Sequence, residues 1–150
     1  MHNIKYFDKR KLAFDLGSMF SPLIPGLVFD GIDGITAVPL HWYRKHRRGY
    51  NQAEWLARGF LSNRKEIRYL DGILVRKHYT KTQTKLAKEL RKKNISKAFV
   101  VPKSSEYLIK GKSLILVDDV ITTGSTTAAC AEVLLKAGAG KVKVLSLARD

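Results

Sequence analysis

The run "KSLILVDDV", residues 112–120, constrains the fold of this chain more than any other feature. Its apolar residues follow one another without the alternation of a strand that has one face in water, so it predicts a strand buried on both faces of a parallel sheet. Such a strand needs helices on either side, and a helical pattern over 125–137 follows at once. The chain is therefore predicted to have an α/β fold.

The other segments fit the same architecture. Helices are predicted over 9–20, from Gly49 onward and over 125–137, the last ending at Gly138, and strands over 34–40, 71–77 and 112–120, at "KAFVV" and at "KVKVLSLA". Strands that alternate with helices build βαβ units with right-handed crossovers. We expect a doubly wound, mostly parallel sheet flanked by helices, and at 150 residues a single domain over 1–150.

Composition limits the class of protein. No apolar run approaches the roughly 20 residues that cross a bilayer, and the N-terminus "MHNIKYFDKRK" lacks the shape of a signal peptide, so a cytoplasmic protein without membrane insertion is expected. The one cysteine, Cys130, can form no internal disulfide and suits a small buried position in a helix. The formal net charge of +15 attracts phosphates, although excess charge also serves solubility.

The loop after the buried strand carries two carboxylates and several hydroxyls around one glycine. In open α/β sheets ligands bind beyond the carboxyl ends of the strands, where Asp118 and Asp119 are expected. Gly124 allows a tight turn, Ser125 or Thr126 can cap the next helix, and the first helical N–H groups are left to hold a phosphate. The two carboxylates can accept hydrogen bonds from vicinal hydroxyls such as those of a ribose. Phosphate and diol together describe a ribose 5-phosphate; a buried strand with an acidic turn and a capped helix is the plainer alternative.

The whole stretch "LILVDDVITTGSTT", residues 114–127, resembles the signature of the type I phosphoribosyltransferases. The resemblance implies a site for phosphoribosyl pyrophosphate with Mg²⁺, in which Asp118 and Asp119 contact the ribose hydroxyls and reach the metal through the ligand. It also implies a loop that holds the 5-phosphate, formed by Thr122, Thr123, Gly124, Ser125 and Thr126. Magnesium would bridge pyrophosphate and ribose oxygens, the usual role of a hard cation on phosphates.

Two further stretches resemble the ComF family of competence proteins. "VPLHWYRKHRRGYNQAEWLA", residues 38–57, is similar to that family's Val-Pro strand end, spaced arginines and R-G-[FY]-N-Q element, and "TKTQTKLAKELRKKNISKAF", residues 80–99, to its T-x-x-Q-x-x-L, R-x-x-N and A-F pattern. The resemblance implies a cytoplasmic protein that handles internalised single-stranded DNA during natural transformation, beside DNA-uptake proteins at the inner membrane.

Many ComF proteins begin with a four-cysteine zinc module, which this chain cannot supply. One cysteine and four scattered histidines do not make a structural zinc site. Either the chain has been separated from that module or this member never had it, and a zinc-dependent role is not inferred.

The basic segments suggest where the remaining phosphates bind. We expect the loop after "AVPL" to hold the pyrophosphate, through backbone N–H groups near Leu40 and His41 and through Arg44 and Arg48. Candidate DNA-binding residues are the cations Arg47, Lys81, Lys85, Lys88, Arg91 and Lys92. The aromatic residues Trp42, Tyr43 and Tyr50 are interleaved with the cations of the loop after "AVPL" and are candidates for base stacking. Each prediction has a plainer alternative. The basic loop and the basic helix face would be merely solvated, and the aromatic residues would belong to the core or its rim.

Three functions remain open at this point. The first is a ligand-binding protein with little or no catalysis, and the second is an active phosphoribosyltransferase that transfers phosphoribose to a nitrogen base. No base-binding segment is visible after the last strand, and residues 6–29 have the pattern of an apolar helix, which favours the first. The third is a degenerate fold that binds nucleic acid through charge alone.

Overall fold

A computed structural model describes residues 2–40, 49–77 and 98–150 of the chain, with side chains from residue 9 onward. In chain order its helices are α1 (His2–Phe20), α2 (Gln52–Phe60), α3 (Glu106–Ile109) and α4 (Ser125–Lys136). Its strands are β1 (Gly34–Ala37), β2 (Arg68–Tyr69), β3 (Val75–Arg76), β4 (Phe99–Val100), β5 (Ser113–Ile121) and β6 (Lys141–Arg149). Short 3₁₀ helices span Ser21–Leu23, Gly26–Val28 and Lys103–Ser105.

A four-stranded parallel sheet in the order β2-β1-β5-β6 forms the centre. The predicted buried strand is β5, whose residues 114–117 are completely buried. It pairs with β1 from Gly34 opposite Leu114 to Ala37 opposite Val117, and with β6 along nearly its whole length. The α/β class, the parallel sheet and the central position of this strand are therefore confirmed.

Successive residues of β5 enter two different apolar clusters, as the period of a strand requires. Leu114 and Leu116 pack on the α4 side with Cys130 and Leu134. Ile115 and Val117 pack on the opposite side, against α2 and the segment that follows α1. Helices thus cover both faces of the sheet, which is the doubly wound arrangement.

Two glycines let α1 lie directly on α2. A Cβ atom at Gly17 would overlap the carbonyl oxygen of Leu56, and one at Gly59 would overlap the carbonyl oxygen of Phe14. The predicted helix over 9–20 is confirmed, although α1 begins earlier, at His2. This N-terminal helix covers α2, on the side of the sheet that Ile115 faces.

The prediction of a strand over 71–77 is wrong for most of that segment. Only Val75–Arg76 is extended, and it pairs antiparallel with β4 in a separate two-stranded ribbon. Gly72 turns the chain with a φ of 65°, and Ile73 and Leu74 fill the α4-side core from an irregular segment. The apolar run therefore reflects core burial and not sheet pairing. The fourth strand of the main sheet is β2, which the sequence did not predict.

The end of α4 agrees with the prediction. Gly138 follows the helix with a φ of 103°, its N–H bonds to the Leu135 carbonyl at 3.0 Å, and the Ala139 N–H bonds to the Leu134 carbonyl at 3.1 Å. This pair of bonds is the Schellman arrangement, in which glycine takes the left-handed position. None of the described helices is both long enough and apolar enough to span a bilayer.

Candidate functional site

A cavity of about 470 Å³ opens at the carboxyl ends of β1 and β5, and we call it the central cavity. Its walls come from the end of β1, the start of α2, the ribbon strand β3 and the end of β5. The lining residues are Val38, Pro39, Leu40, Asn51, Gln52, Ala53, Arg76, Asp118, Asp119, Val120, Thr122 and Thr126. Its location is where open parallel sheets bind ligands.

Asn51 joins two walls of this cavity. Its Oδ1 accepts a hydrogen bond from the Ala53 N–H at 3.2 Å and so caps the N-terminus of α2. Its Nδ2 donates to the Val38 carbonyl at 2.9 Å and fixes the chain as it leaves β1. The sequence places Asn51 in a motif but gives it no role, whereas the structure makes it a positioning residue for the Val38–Leu40 wall.

Asp118 and Asp119 lie at consecutive positions of β5, which runs two residues further to Ile121. Both residues line the central cavity, and an interaction between their two side chains contributes to the pKa of Asp118. Each carboxylate accepts through Oδ1 the N–H of the next residue, at 3.0 Å for Asp118 and 2.9 Å for Asp119. Within the described residues these are the hydrogen bonds that the two carboxylates make, so the second oxygen of each remains to accept from a ligand.

The acidic pair is electrostatically uneven. Burial at the end of the strand, followed by the charge of Asp119, raises the pKa of Asp118 from its ordinary range to about 6, against the lowering effect of the Asp119 N–H hydrogen bond. The buried thiol of Cys130 lies on the α4 side near Asp118, and burial together with that carboxylate raises the pKa of the thiol. Cys130 is thus a core residue, as the sequence predicted, and not a reactive thiol.

The loop between β5 and α4 encloses a smaller cavity of about 50 Å³, the loop cavity. It is lined by Asp118, Val120, Ile121, Thr122, Thr123, Gly124, Ser125, Thr126 and Thr127. Asp118, Thr122 and Thr126 also line the central cavity, so the two spaces share a wall. A phosphate monoester in the loop cavity would therefore lie next to any ribose in the central one.

The start of α4 differs from the prediction in one respect. Neither Ser125 nor Thr126 caps the helix; Gly124 occupies the N-cap position with a φ of 72°, in the left-handed region that glycine adopts without strain. Thr123 Oγ1 lies 2.9 Å from the Ser125 hydroxyl, and the Thr127 hydroxyl donates to the Gly124 carbonyl at 2.9 Å. These hydroxyls brace the turn, while the first N–H groups of the helix keep the orientation that suits an anion.

The structure brings together one part of the predicted site and leaves another part outside the described residues. Leu40, Asp118, Asp119, Thr122 and Thr126 line the central cavity, and Thr123, Gly124 and Ser125 line the loop cavity. The predicted residues that lie outside the described ranges are His41, Arg44, Arg47, Arg48, Lys81, Lys85, Lys88, Arg91 and Lys92, together with the aromatic residues Trp42 and Tyr43. Tyr50 is buried, with its ring centroid 5.7 Å from the Arg10 guanidinium, so it belongs to the core and is not a stacking platform.

Arg76 and Gln52 line the central cavity and were missed as site residues by the sequence. In the sequence Arg76 is one more cation that supports the predicted DNA-binding stripe, but its guanidinium lies 5.3 Å from the Phe99 ring centroid in the two-stranded ribbon and lines the central cavity. The sequence feature that could have indicated this placement is the position of Arg76 at the end of the apolar run "GILVR". Its meaning is clear only once the ribbon is known.

The site fits a magnesium ion that arrives with its ligand. The described residues contain no group of three or more His, Cys, Asp or Glu side chains that could hold a metal alone. Two carboxylates that each retain an oxygen acceptor suit Mg²⁺, which takes oxygen ligands and usually binds through a few carboxylates, phosphates and water. Asp118 and Asp119 are the side chains that would take part.

Comparison with known proteins agrees with this architecture. Residues 38–150 match the family model described as phosphoribosyl transferase domain. Over 118 residues the chain is 41% identical to the DNA utilization protein YhgH of Escherichia coli strain K12, covering 78% of this chain and 49% of that protein. Over 117 residues it is 39% identical to competence protein F of Haemophilus influenzae, covering 78% and 50%. The chain thus spans about half the length of these relatives.

Solved structures support the fold. A glutamine phosphoribosylpyrophosphate (PRPP) amidotransferase from B. subtilis, complexed with ADP and GMP, superposes with a TM-score of 0.61 at 22% identity, over 91% of this chain and 26% of that one. The structure of the allosteric regulatory enzyme of purine biosynthesis gives a TM-score of 0.60 at 22% identity, over 91% and 25%. The chain belongs to the phosphoribosyl transferase domain family, and its resemblance to competence protein F is confirmed.

Proposed function

We propose that this protein binds phosphoribosyl pyrophosphate with Mg²⁺ in the central and loop cavities, and that it is a cytoplasmic competence protein that handles internalised single-stranded DNA. One observation carries the first half of this proposal. A pair of carboxylates at the end of β5 separates a small cavity at a helix N-terminus from a larger one beside the end of β1. The hydroxyls of a ribose require hydrogen-bond acceptors, and the phosphates on either side of it require donors.

Each part of the ligand has a chemical counterpart in the site. The 5-phosphate suits the loop cavity, where N–H groups at the start of α4 and the Thr123 and Ser125 hydroxyls are available. The ribose hydroxyls donate to Asp118 and Asp119. The pyrophosphate extends toward Leu40 and Arg76, the cationic side of the central cavity.

The DNA half of the proposal rests on the relatives and on charge. Proteins named for competence and for DNA utilization match this chain at about 40% identity over 78% of its length. Residues 41–48 and 78–97 contain eleven of the 28 Lys and Arg residues and one of the 13 acidic residues. Cations of this density neutralise a nucleic-acid backbone. We propose DNA-uptake proteins at the inner membrane as the partners.

Binding with little or no catalysis is the form of the proposal that the described residues favour over active phosphoribosyl transfer. Salvage enzymes need a polar segment at the central cavity that holds the accepting base against the ribose. None of the described residues that line the central cavity comes from 9–29, the segment that could have provided it. Those residues instead pack α1 on α2 and cover the sheet face.

Calorimetry tests whether the protein binds phosphoribosyl pyrophosphate. Wild-type protein is titrated with phosphoribosyl pyrophosphate with and without Mg²⁺, alongside Asp119→Asn and the surface control Asp30→Asn. We expect magnesium-dependent binding that Asp119→Asn weakens at least tenfold and that the control leaves unchanged, because the substitution removes a carboxylate that accepts from ribose hydroxyls. Equal affinity in all three proteins would refute the assignment of the acidic pair.

Fluorescence anisotropy with a single-stranded oligonucleotide tests the DNA function. Binding should weaken steeply with salt, and Lys85→Ala with Lys88→Ala should reduce the slope of log affinity against log salt by about one for each phosphate that the variant no longer neutralises. Asp119→Asn should leave this binding nearly intact. A wild type with no affinity for the oligonucleotide at low salt would refute the DNA half while leaving the ligand test standing.

A further inference from the structure

A second cavity of about 310 Å³ adjoins the central one on the β2 side, and we call it the side cavity. The two share Pro39, Leu40, Asn51 and Arg76 as walls. The remaining walls come from the ends of β1 and β2, from α2 and from the irregular segment before β3. Apart from these shared walls, the ribose and phosphate chemistry proposed for the central cavity does not use this space.

Two carboxylates and a phenol face the side cavity: Glu54 from α2, Tyr69 from β2 and Asp71 just after it. Arg58 holds Glu54 with two hydrogen bonds, at 3.1 Å from Nε and 3.0 Å from Nη2, both to Oε1. The Arg58 guanidinium also lies 4.3 Å from the Tyr69 ring centroid. The acidic wall is therefore a built arrangement in which one carboxylate and the phenol are held in place.

Charge decides which ligand this space can take. Glu54, Tyr69 and Asp71 line one cavity, and burial followed by the charges of the two carboxylates raises the pKa of the Tyr69 hydroxyl. A phosphate would be repelled by Asp71, the carboxylate that Arg58 does not neutralise. A metal ion is disfavoured too, because Arg58 already neutralises Glu54 and Arg76 shares the cavity wall. A neutral ligand suits this wall when it has N–H donors for a carboxylate and acceptors for Arg76.

We propose that the side cavity binds an unpaired nucleobase that presents a ring N–H beside an exocyclic amine, as guanine does. The inference rests on the proposed function, since it supplies the base-binding site for the single strand whose backbone the basic segments attract. Asp71 accepts the two neighbouring N–H groups on one edge of the base. Arg76 can donate to the acceptors of the other edge, the pairing that arginine commonly makes with guanine O6 and N7.

The other bases match this wall less well. Neutral adenine and cytosine offer an exocyclic amine beside a ring acceptor, and that acceptor would meet a carboxylate oxygen. Thymine offers one N–H between two carbonyl oxygens, both of which a carboxylate repels. Guanine alone places two donors side by side, so only guanine uses both oxygens of Asp71 without repulsion.

The experiment compares oligonucleotides that differ by one amine. Fluorescence anisotropy measures the affinity of the full chain for a 12-mer of thymidines with a single central guanine, and for the same oligonucleotide with hypoxanthine, which lacks the exocyclic amine. Wild type is expected to prefer guanine about tenfold. Asp71→Asn should abolish the preference, and Glu66→Gln, which removes a carboxylate on the exposed surface outside the cavity, should keep it.

Asp71 is itself solvent-exposed, so the substitution leaves the core untouched. Preference in wild type and Glu66→Gln that Asp71→Asn abolishes, with an unchanged salt slope, supports the proposal. DNA binding without preference, or preference that survives in Asp71→Asn, overturns it and leaves the DNA function intact. If wild type binds no oligonucleotide, the DNA function fails, and saturation-transfer NMR with deoxyguanosine and deoxyinosine decides the side cavity. Equal or absent saturation transfer to the two nucleosides then overturns the assignment.

Discussion

Replacing Asp118 by Asn should stabilise the unliganded fold at neutral pH. Burial and the neighbouring charge of Asp119 raise the pKa of Asp118 to about 6, so its ionisation is less favourable in the folded protein than in the unfolded chain. Asparagine keeps the oxygen that accepts the Asp119 N–H and removes the charge. The site thus contains a carboxylate that the proposed ligand requires and without which the unliganded fold should be more stable.

The magnitude follows from the pKa difference. From its ordinary value of 3.8 to about 6, at about 1.4 kcal/mol for each pH unit, the full effect would be about 3 kcal/mol. Asp118 is only half-buried, and solvent screens its charge, so we expect about 1 kcal/mol at pH 7.5. The sign is set by proton linkage: between pH 4 and pH 6 the folded state retains a proton that the unfolded chain loses, so wild-type stability falls as pH rises through that window.

Urea unfolding at pH 4 and pH 7.5, without phosphate or magnesium, measures this effect. Asp118→Asn should exceed wild type by about 1 kcal/mol at pH 7.5 and match it near pH 4, where the carboxyl is protonated in wild type. Asp30→Asn, an exposed position, should show no such pH-dependent difference. A wild type that is more stable than Asp118→Asn at pH 7.5 would refute the reasoning, since the ionised carboxylate would then have a compensating partner.

The same features give four further expectations. Affinity for phosphoribosyl pyrophosphate should fall about tenfold between pH 7 and pH 5 as Asp118, with a pKa of about 6, becomes protonated; in Asp118→Asn only the ligand's own phosphate titration remains, and calorimetry across this range separates the two. Gly59→Ala should reduce stability in urea unfolding by about 1–2 kcal/mol because its Cβ overlaps the backbone of α1, whereas Gly26→Ala, which meets nothing within 4 Å, should change little. Asn51→Asp should keep the cap of α2 but remove the hydrogen bond that Asn51 donates to the Val38 carbonyl. Calorimetry should therefore show weaker ligand binding, whereas urea unfolding should show a smaller change in the free energy of unfolding. Cys130 should react with a thiol reagent at the rate of global unfolding, and fast labelling of the native protein would contradict its burial.

The features that the sequence predicted best depend on local pattern and burial together. The uninterrupted apolar run of β5 is typical of a strand covered on both faces, and it predicted the fold class, the parallel sheet and the position of Asp118 at the sheet edge. The glycine after α4 was predictable because a helix end needs a left-handed residue there. In each case one short stretch contains the whole physical reason.

Features that depend on distant partners were not predictable in the same way. Ile73 and Leu74 are as apolar as strand residues, but they fill the core from an irregular segment, and nothing local distinguishes the two outcomes. The two-residue strand β2 has no pattern of its own and exists because it pairs with β1. Likewise Arg76 lines the central cavity only because a ribbon carries it there. The side cavity required the structure, since its acidic wall combines α2 with the end of β2.

The acidic pair limits which polyanions can use this site. A surface that only gathered phosphates would have no reason to place Asp118 and Asp119 beside a helix N-terminus and Arg76, because each carboxylate opposes the field that attracts the ligand. Their presence favours a ligand whose phosphates are separated by hydroxyl donors. Single-stranded DNA lacks the 2′-hydroxyl and esterifies the 3′-oxygen, so its sugars offer these carboxylates nothing. The chemistry of this sheet edge therefore favours a ribose phosphate over the sugar-phosphate backbone of single-stranded DNA.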